Sequence, residues 1–182
     1  DGTLTRRGDD WHWRGDPVDV ALLTLGRKLG HSRESALEAW PQVDEIPFEA
    51  AQRYAASIHR VDGERRVVVK GAPERVLEMC TEAAVGNLDR DSLDQQAAAL
   101  AGEGYRVLAV AVGDDGEPRG GVSAAPPAGL TLLGFVGLID PLRDGATSAV
   151  AAARRAGIDV RMITGDHPET ALATARELGL AA

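Results

Sequence analysis

The chain has 182 residues, 44% of them hydrophobic and 26% charged, which is ordinary for a globular protein with a real core and room for one large domain or two small ones. A formal net charge of −8 and the lack of a Lys/Arg cluster argue against a nucleic-acid surface, because phosphate backbones are held by clustered cations. The single cysteine, Cys80, excludes an internal disulfide and a cysteine-built zinc site and fits a reducing compartment. The apolar stretch 130–139 is about half of the roughly 20 residues that a membrane-spanning helix needs, so no span is expected.

Asp1-Gly2-Thr3-Leu4-Thr5 has no charged start followed by an apolar segment, so it is not a secretory signal and reads as the interior of a motif. Trp11 and Trp13 then stand two apart in a polar stretch, the spacing of a short strand with one buried face. Asp16 as cap, Pro17 at the first helical position and Asp19 near the positive end of the dipole open a helix that carries Val20, Leu22, Leu23 and Leu29 to Gly30. Ser32 caps a second helix with Ala36, Leu37 and Trp40, ended by Pro41.

Tyr54 to Arg60 holds β-compatible residues, and Asp62-Gly63 is a two-residue turn signal that pairs this segment antiparallel with 65–70. The second strand ends Val67-Val68-Val69-Lys70 before Gly71, and Pro73 with Glu74 starts a helix to about Cys80 that turns Val76, Leu77 and Cys80 to one side. Lys70 is then either a strand-end lysine with its head in water or a cation presented to a ligand. A helix from about Ser92 to Leu100, a strand from Tyr105 to Val112 and a turn at Asp114-Asp115-Gly116 follow, and 120–129, with Pro126-Pro127, has linker composition.

Beyond that point Leu130 to Ile139 reads as a strand buried on both faces, Asp144 as the cap of a helix carrying Ala146, Ala149, Val150 and Ala153, and Ile158 to Ile163 as a second buried strand. Thr164-Gly165-Asp166-His167-Pro168 turns into a last helix with Ala171, Leu172, Ala175 and Leu178. Strand, helix, strand, helix is parallel α/β grammar, whereas the middle of the chain is hairpins and helices, so two domains are expected, the second incomplete.

Ligands of open parallel sheets bind at the carboxyl ends of strands, which makes Thr164-Gly165-Asp166 either a phosphate site or a turn capped by Asp166. Asp140-Pro141-Leu142-Arg143 is either a turn with an Asp–Arg pair or a place where Arg143 receives an anion. Phe48 is either core or exposed enough to stack on a flat ring, worth about 0.5–1.5 kcal/mol beyond area burial. His12, His31, His59 and His167 share no metal-site spacing and read as surface or turn residues, so no metal site is expected.

Six runs in one order, Gly2-Thr3-Leu4-Thr5, Gly15-Asp16-Pro17-Val18-Asp19-Val20-Ala21-Leu22-Leu23, Ile46-Pro47-Phe48, Lys70-Gly71-Ala72-Pro73-Glu74, Asp140-Pro141-Leu142-Arg143 and Met162-Ile163-Thr164-Gly165-Asp166-His167, resemble successive motifs of the cytoplasmic part of P-type cation-transporting ATPases. They cover nearly the whole chain, and the variant pattern is most similar to the calcium and related P2-type pumps. The resemblance implies an α/β fold class: an α+β nucleotide-binding domain with an antiparallel sheet and flanking helices over residues 6–129, inserted in an incomplete parallel α/β phosphorylation domain of the haloacid dehalogenase type made of 1–5 and 130–182. It implies that Phe48 stacks on adenine, that Lys70 with Gly71 lines the adenine pocket, that Asp19 lies near the base's amino group, and that Arg53 holds a basic position after the phenylalanine. Arg106 matches an arginine that reaches the phosphates, and Thr164, Gly165, Asp166, Asp140 and Arg143 would meet the phosphate end.

The implied ligand is ATP, with Mg²⁺ in the intact pump, on the cytoplasmic side of a membrane. The implied partners are the pump's membrane and actuator domains, and the implied activity is cation transport driven by ATP hydrolysis through an aspartyl-phosphate. Alignment on the family's Asp-Lys-Thr-Gly-Thr-Leu-Thr puts Asp1 two places after the nucleophile, so the phosphorylated aspartate lies outside this chain and no catalytic residue is expected within it. ATP is then expected to bind without being hydrolysed. The alternative is a soluble haloacid-dehalogenase-type phosphatase using Asp1 as general acid. The family's magnesium-holding Gly-Asp-Gly-x-Asn-Asp run does not occur, Ala50 stands where many relatives have arginine, and Val18 replaces the usual threonine.

Overall fold

A computed structural model of the chain describes residues 2–8, 10–115, 125–139, 142–164 and 168–181. In chain order the elements are β1 (Gly2–Arg7), β2 (Asp10–Gly15), α1 (Pro17–Lys28), α2 (Arg33–Ala39), β3 (Gln42–Ile46), β4 (Tyr54–Val61) and β5 (Glu64–Gly71). They continue with α3 (Pro73–Met79), β6 (Cys80–Ala83), α4 (Arg90–Gly102), β7 (Arg106–Asp114), β8 (Leu130–Leu138), α5 (Ala146–Arg155) and α6 (Pro168–Glu177).

The fold is mixed α/β, built on a six-stranded sheet of order β3-β4-β5-β7-β8-β6 with helices beside it and a separate β1–β2 ribbon. Every pairing in the six-stranded sheet is antiparallel except β6 with β8. Its nucleus is the β4–β5 hairpin, where Asp62 and Gly63 both take positive φ, 51° and 88°, as the tight turn matching strand twist requires. Alternation along the strands then sends Tyr54, Ala56, Ile58, Val67, Val69, Ala109, Ala111, Leu130 and Leu132 to one face. On that face α3 lays Val76, Leu77 and Met79, with Cys80 after them, to close the core. Val68, Lys70, Ala55, Ser57, Val110 and Val112 fall on the opposite, half-buried face.

Helix caps follow local chemistry. Asp16 Oδ1 accepts from the backbone N–H of Val18 at 2.8 Å and of Asp19 at 3.3 Å with Pro17 behind it, and Ser32 Oγ accepts from Ser35 N–H at 3.0 Å. Asp89 caps α4, which starts earlier than Ser92.

Several expectations are corrected. Leu130–Leu138 does not open a separate parallel sheet: β8 pairs along its length with β7 and at Leu130–Leu132 with β6, and its apolar start is explained by Leu130 and Leu132 lying in the core of this sheet. Residues 158–164 form no strand, and Ile158 and Ile163 are 58% and 97% exposed, since no described strand lies beside them to complete a ladder. Trp11 and Trp13 are 49% and 60% exposed, because a two-stranded ribbon packed mainly against α1 does not have both faces covered. Gly145, not Asp144, caps α5, and Pro127 is fully buried rather than part of an open linker. His59 is half-buried on β4, its ring lying 2.9 Å from Trp40 O and 2.8 Å from Ser57 Oγ. The short strands β3 and β6 have no counterpart in the sequence reading.

Candidate functional site

Lys70 ends β5 on the sheet face opposite the core, opposite Ala55 on one side and Val110 on the other. Its ammonium donates to the Asp19 carboxylate in the first turn of α1, so the two candidate base-end residues, distant in sequence, form one ion pair. Burial alone would raise the Asp19 carboxyl, but the hydrogen bond and charge of Lys70 oppose it, and the pKa lies below its ordinary value. A ligand at this end of the sheet therefore meets a carboxylate and an ammonium already held together, offering an acceptor beside a donor.

Phe48 follows the end of β3 and is 61% exposed. The register runs Ile46↔Ala56↔Val69 and then Ala55↔Lys70, so the Phe48 loop leaves β3 at the same end of the sheet as Lys70. Within that loop Glu49 O accepts from Gln52 N–H at 3.0 Å and from Arg53 N–H at 2.9 Å. Gln52 Oε1 is buried without a hydrogen-bond partner.

Gly71 is required by close approach: a Cβ there would stand 2.6 Å from Arg53 O and 2.7 Å from Tyr54 Cβ. The Arg53 guanidinium is paired with Glu74 in the first turn of α3 at 2.5 Å, both side chains being about half exposed, so it is not directed at Lys70. Arg106 is exposed at the start of β7, on the same face as Val110 and hence as Lys70, and lies beyond the end of β5. It pairs with Leu138, the last residue of β8.

At the end of the sheet where β5 finishes lie Lys70, paired with Asp19 of α1, Gly71, Arg53 and the loop that carries Phe48, with Arg106 further along the face of Lys70. The other candidates are not placed there. Arg143 is exposed and its carbonyl accepts from Ala146 N–H at 2.9 Å at the entry to α5, and Thr164 is exposed at the end of the irregular stretch. Asp140, Gly165 and Asp166, and also Asp1 on which the phosphatase alternative depends, lie outside the described residues. Among the described residues no group of three or more His, Cys, Asp or Glu side chains is placed to hold a metal ion. Two clefts lie elsewhere: one of about 70 Å³ beside Thr3, Leu23 and Arg27, and one of about 400 Å³ between the first turn of α4 and β8, lined by Ser92, Leu133 and Phe135.

Glu74 was missed as part of this site, although it stands inside the Lys-Gly-Ala-Pro-Glu run; only the β4–β5 register shows that it faces Arg53. No described helix is long and apolar enough to cross a membrane.

The family described as P-type ATPase, cytoplasmic domain N, matches residues 3–145 of the chain. Cation-transporting ATPase pma1 of Synechocystis sp. is 39% identical over 100% of this chain and 21% of its own length. Sodium/potassium-transporting ATPase subunit alpha-A of Artemia franciscana is 36% identical over 91% of this chain and 18% of its own, and calcium-transporting ATPase 1 of Lactococcus lactis is 30% identical over 91% and 20%. The chain spans about one fifth of the length of these relatives.

Proposed function

The chain belongs to the P-type cation ATPases, whose cytoplasmic domain N it matches, and we propose from that premise that it is the ATP-binding part of a membrane cation pump. P-type ATPases as a family are hydrolases that use ATP and Mg²⁺. What supports the reading is that the loop carrying the exposed Phe48 ring, the Lys70–Asp19 pair and the exposed Arg106 lie at one end of one sheet. Adenine stacks on Phe48, where its flat face gains area and its edge stays free for hydrogen bonds. The Asp19 carboxylate accepts from the base's exocyclic amino group, and the Lys70 ammonium donates to a ring nitrogen. Both remain charge-assisted, which makes them stronger than neutral hydrogen bonds. Arg106, further along the face, attracts the phosphates.

In the parent pump this domain positions ATP so that the γ-phosphoryl meets an aspartate outside the chain, catalysis coming from alignment and charge neutralisation. The chain alone binds ATP without turning it over. Residues 1–5 and 139–182 belong to the phosphorylation domain of haloacid dehalogenase type into which the nucleotide-binding part is inserted, with Asp140, Arg143, Thr164, Gly165 and Asp166 at the phosphate end. This part lies on the cytoplasmic side of the membrane, with the pump's membrane and actuator domains as its partners. Relatives named for sodium and potassium and for calcium share this region, so we place the choice of ion outside it.

Equilibrium dialysis against ATP tests the base end. Phe48→Ala is expected to weaken binding about tenfold, within the ~1–3 kcal/mol that base–aromatic stacking is worth, while its thermal midpoint stays near the wild-type value because the ring is 61% exposed. Unchanged ATP affinity in Phe48→Ala contradicts the reading.

A further inference from the structure

We infer that Arg53 acts through its backbone as a positioning residue that fastens the Phe48 loop to the end of the Lys70 strand; this rests on the nucleotide reading above. The loop closes one helical turn when Glu49 O accepts from Arg53 N–H at 2.9 Å, and the turn ends with Arg53 in the left-handed region at φ 56°. Non-glycine residues seldom adopt that conformation, and β-branched ones least of all. It aims the Arg53 carbonyl at β5, where the carbonyl accepts from Ala72 N–H at 2.9 Å, one step beyond the Tyr54↔Gly71 pair.

A Cβ on Gly71 would stand 2.6 Å from that same oxygen, so the contact exists only because Gly71 has none. The guanidinium is meanwhile engaged by Glu74 at 2.5 Å, and Arg75 lies 5.7 Å above the Tyr54 ring on the adjoining element. Two backbone groups and one missing side chain thus tie the loop that follows Phe48 to the end of β5.

The test compares Arg53→Val, Arg53→Gly and Glu74→Gln in the 182-residue chain, by ATP titration and by the NMR signals of the Phe48 ring without nucleotide. Arg53→Val is expected to move the ring signals and to weaken ATP binding about tenfold. Arg53→Gly, which keeps the carbonyl and tolerates positive φ, returns the ring signals and recovers most of the affinity. Glu74→Gln, which releases the guanidinium, does not strengthen binding. Equal loss in Arg53→Gly and Arg53→Val with unmoved ring signals overturns the inference in favour of a side-chain contact. If the wild type binds no ATP, the nucleotide reading falls, and the ring signals still decide: displacement in the Val variant with return in the Gly variant supports the clasp, and no displacement overturns it.

Discussion

Asp19 and Lys70 stand 51 residues apart in sequence, and their pairing gives stability a pH dependence of definite sign. The Asp19 carboxyl, raised by burial but lowered further by Lys70, titrates below its ordinary value near 3.8. A depressed folded pKa contributes stability that is present above the ordinary value and lost as pH falls through the folded one. The difference in thermal midpoint between wild type and Asp19→Asn is therefore expected to stay level from about pH 7 to about pH 5 and to close below about pH 4. A difference that persists unchanged down to acid unfolding contradicts the assignment. Lys70 was legible as a candidate from Val67-Val68-Val69 running into a glycine. Its partner was not, because nothing in the sequence says which carboxylate of α1 reaches across to β5. The same holds for Arg53 and Glu74, whose contact spans 21 residues and depends on register alone.

Among the elements, the β4–β5 hairpin and α3 were legible because Asp62-Gly63 and Gly71-Ala72-Pro73 punctuate apolar runs in the way turn and helix-start chemistry demands. β3 was not, since Gln42-Val43-Asp44-Glu45-Ile46 carries two acids and sits at a sheet edge where only one side needs to be apolar. β8 was legible as a strand but not as a member of this sheet, because an apolar run does not name its neighbours. Its place in the sheet can be tested at Leu130, which is fully buried between β7 and β6. Leu130→Ala is expected to cost about 3–5 kcal/mol in urea unfolding, a large-to-small change in a closed core, whereas a cost under about 1 kcal/mol would place β8 outside that core. At the opposite end of β5, Arg65 donates twice to the buried Asp115 carboxylate, at 3.0 and 2.8 Å, and ties that strand to the end of β7. Asp115→Ala is expected to cost about 1–3 kcal/mol by removing both of these hydrogen bonds, which leaves the guanidinium only its longer 3.7 Å contact with Asp44.

At the scale of the molecule, a net charge of −8 sets the mean field against an anionic ligand. Recognition therefore has to rest on the base, with Phe48, Lys70 and Asp19, more than on the phosphates. AMP is accordingly expected to bind within about tenfold of ATP; an AMP affinity far below that would shift the recognition to Arg106 and the phosphate end. The family was legible from six short runs in order, whereas the parallel unit expected after residue 130 was not recoverable from them, because 158–164 has no described strand to pair with. Whether this end of the sheet binds ATP by its base is decided by an ATP titration of the 182-residue chain followed residue by residue by NMR. Saturable shifts centred on Phe48, Lys70, Gly71 and Asp19 are expected at millimolar ATP. Shifts absent throughout, or confined to the cleft at Ser92 and Phe135, would contradict binding by the base.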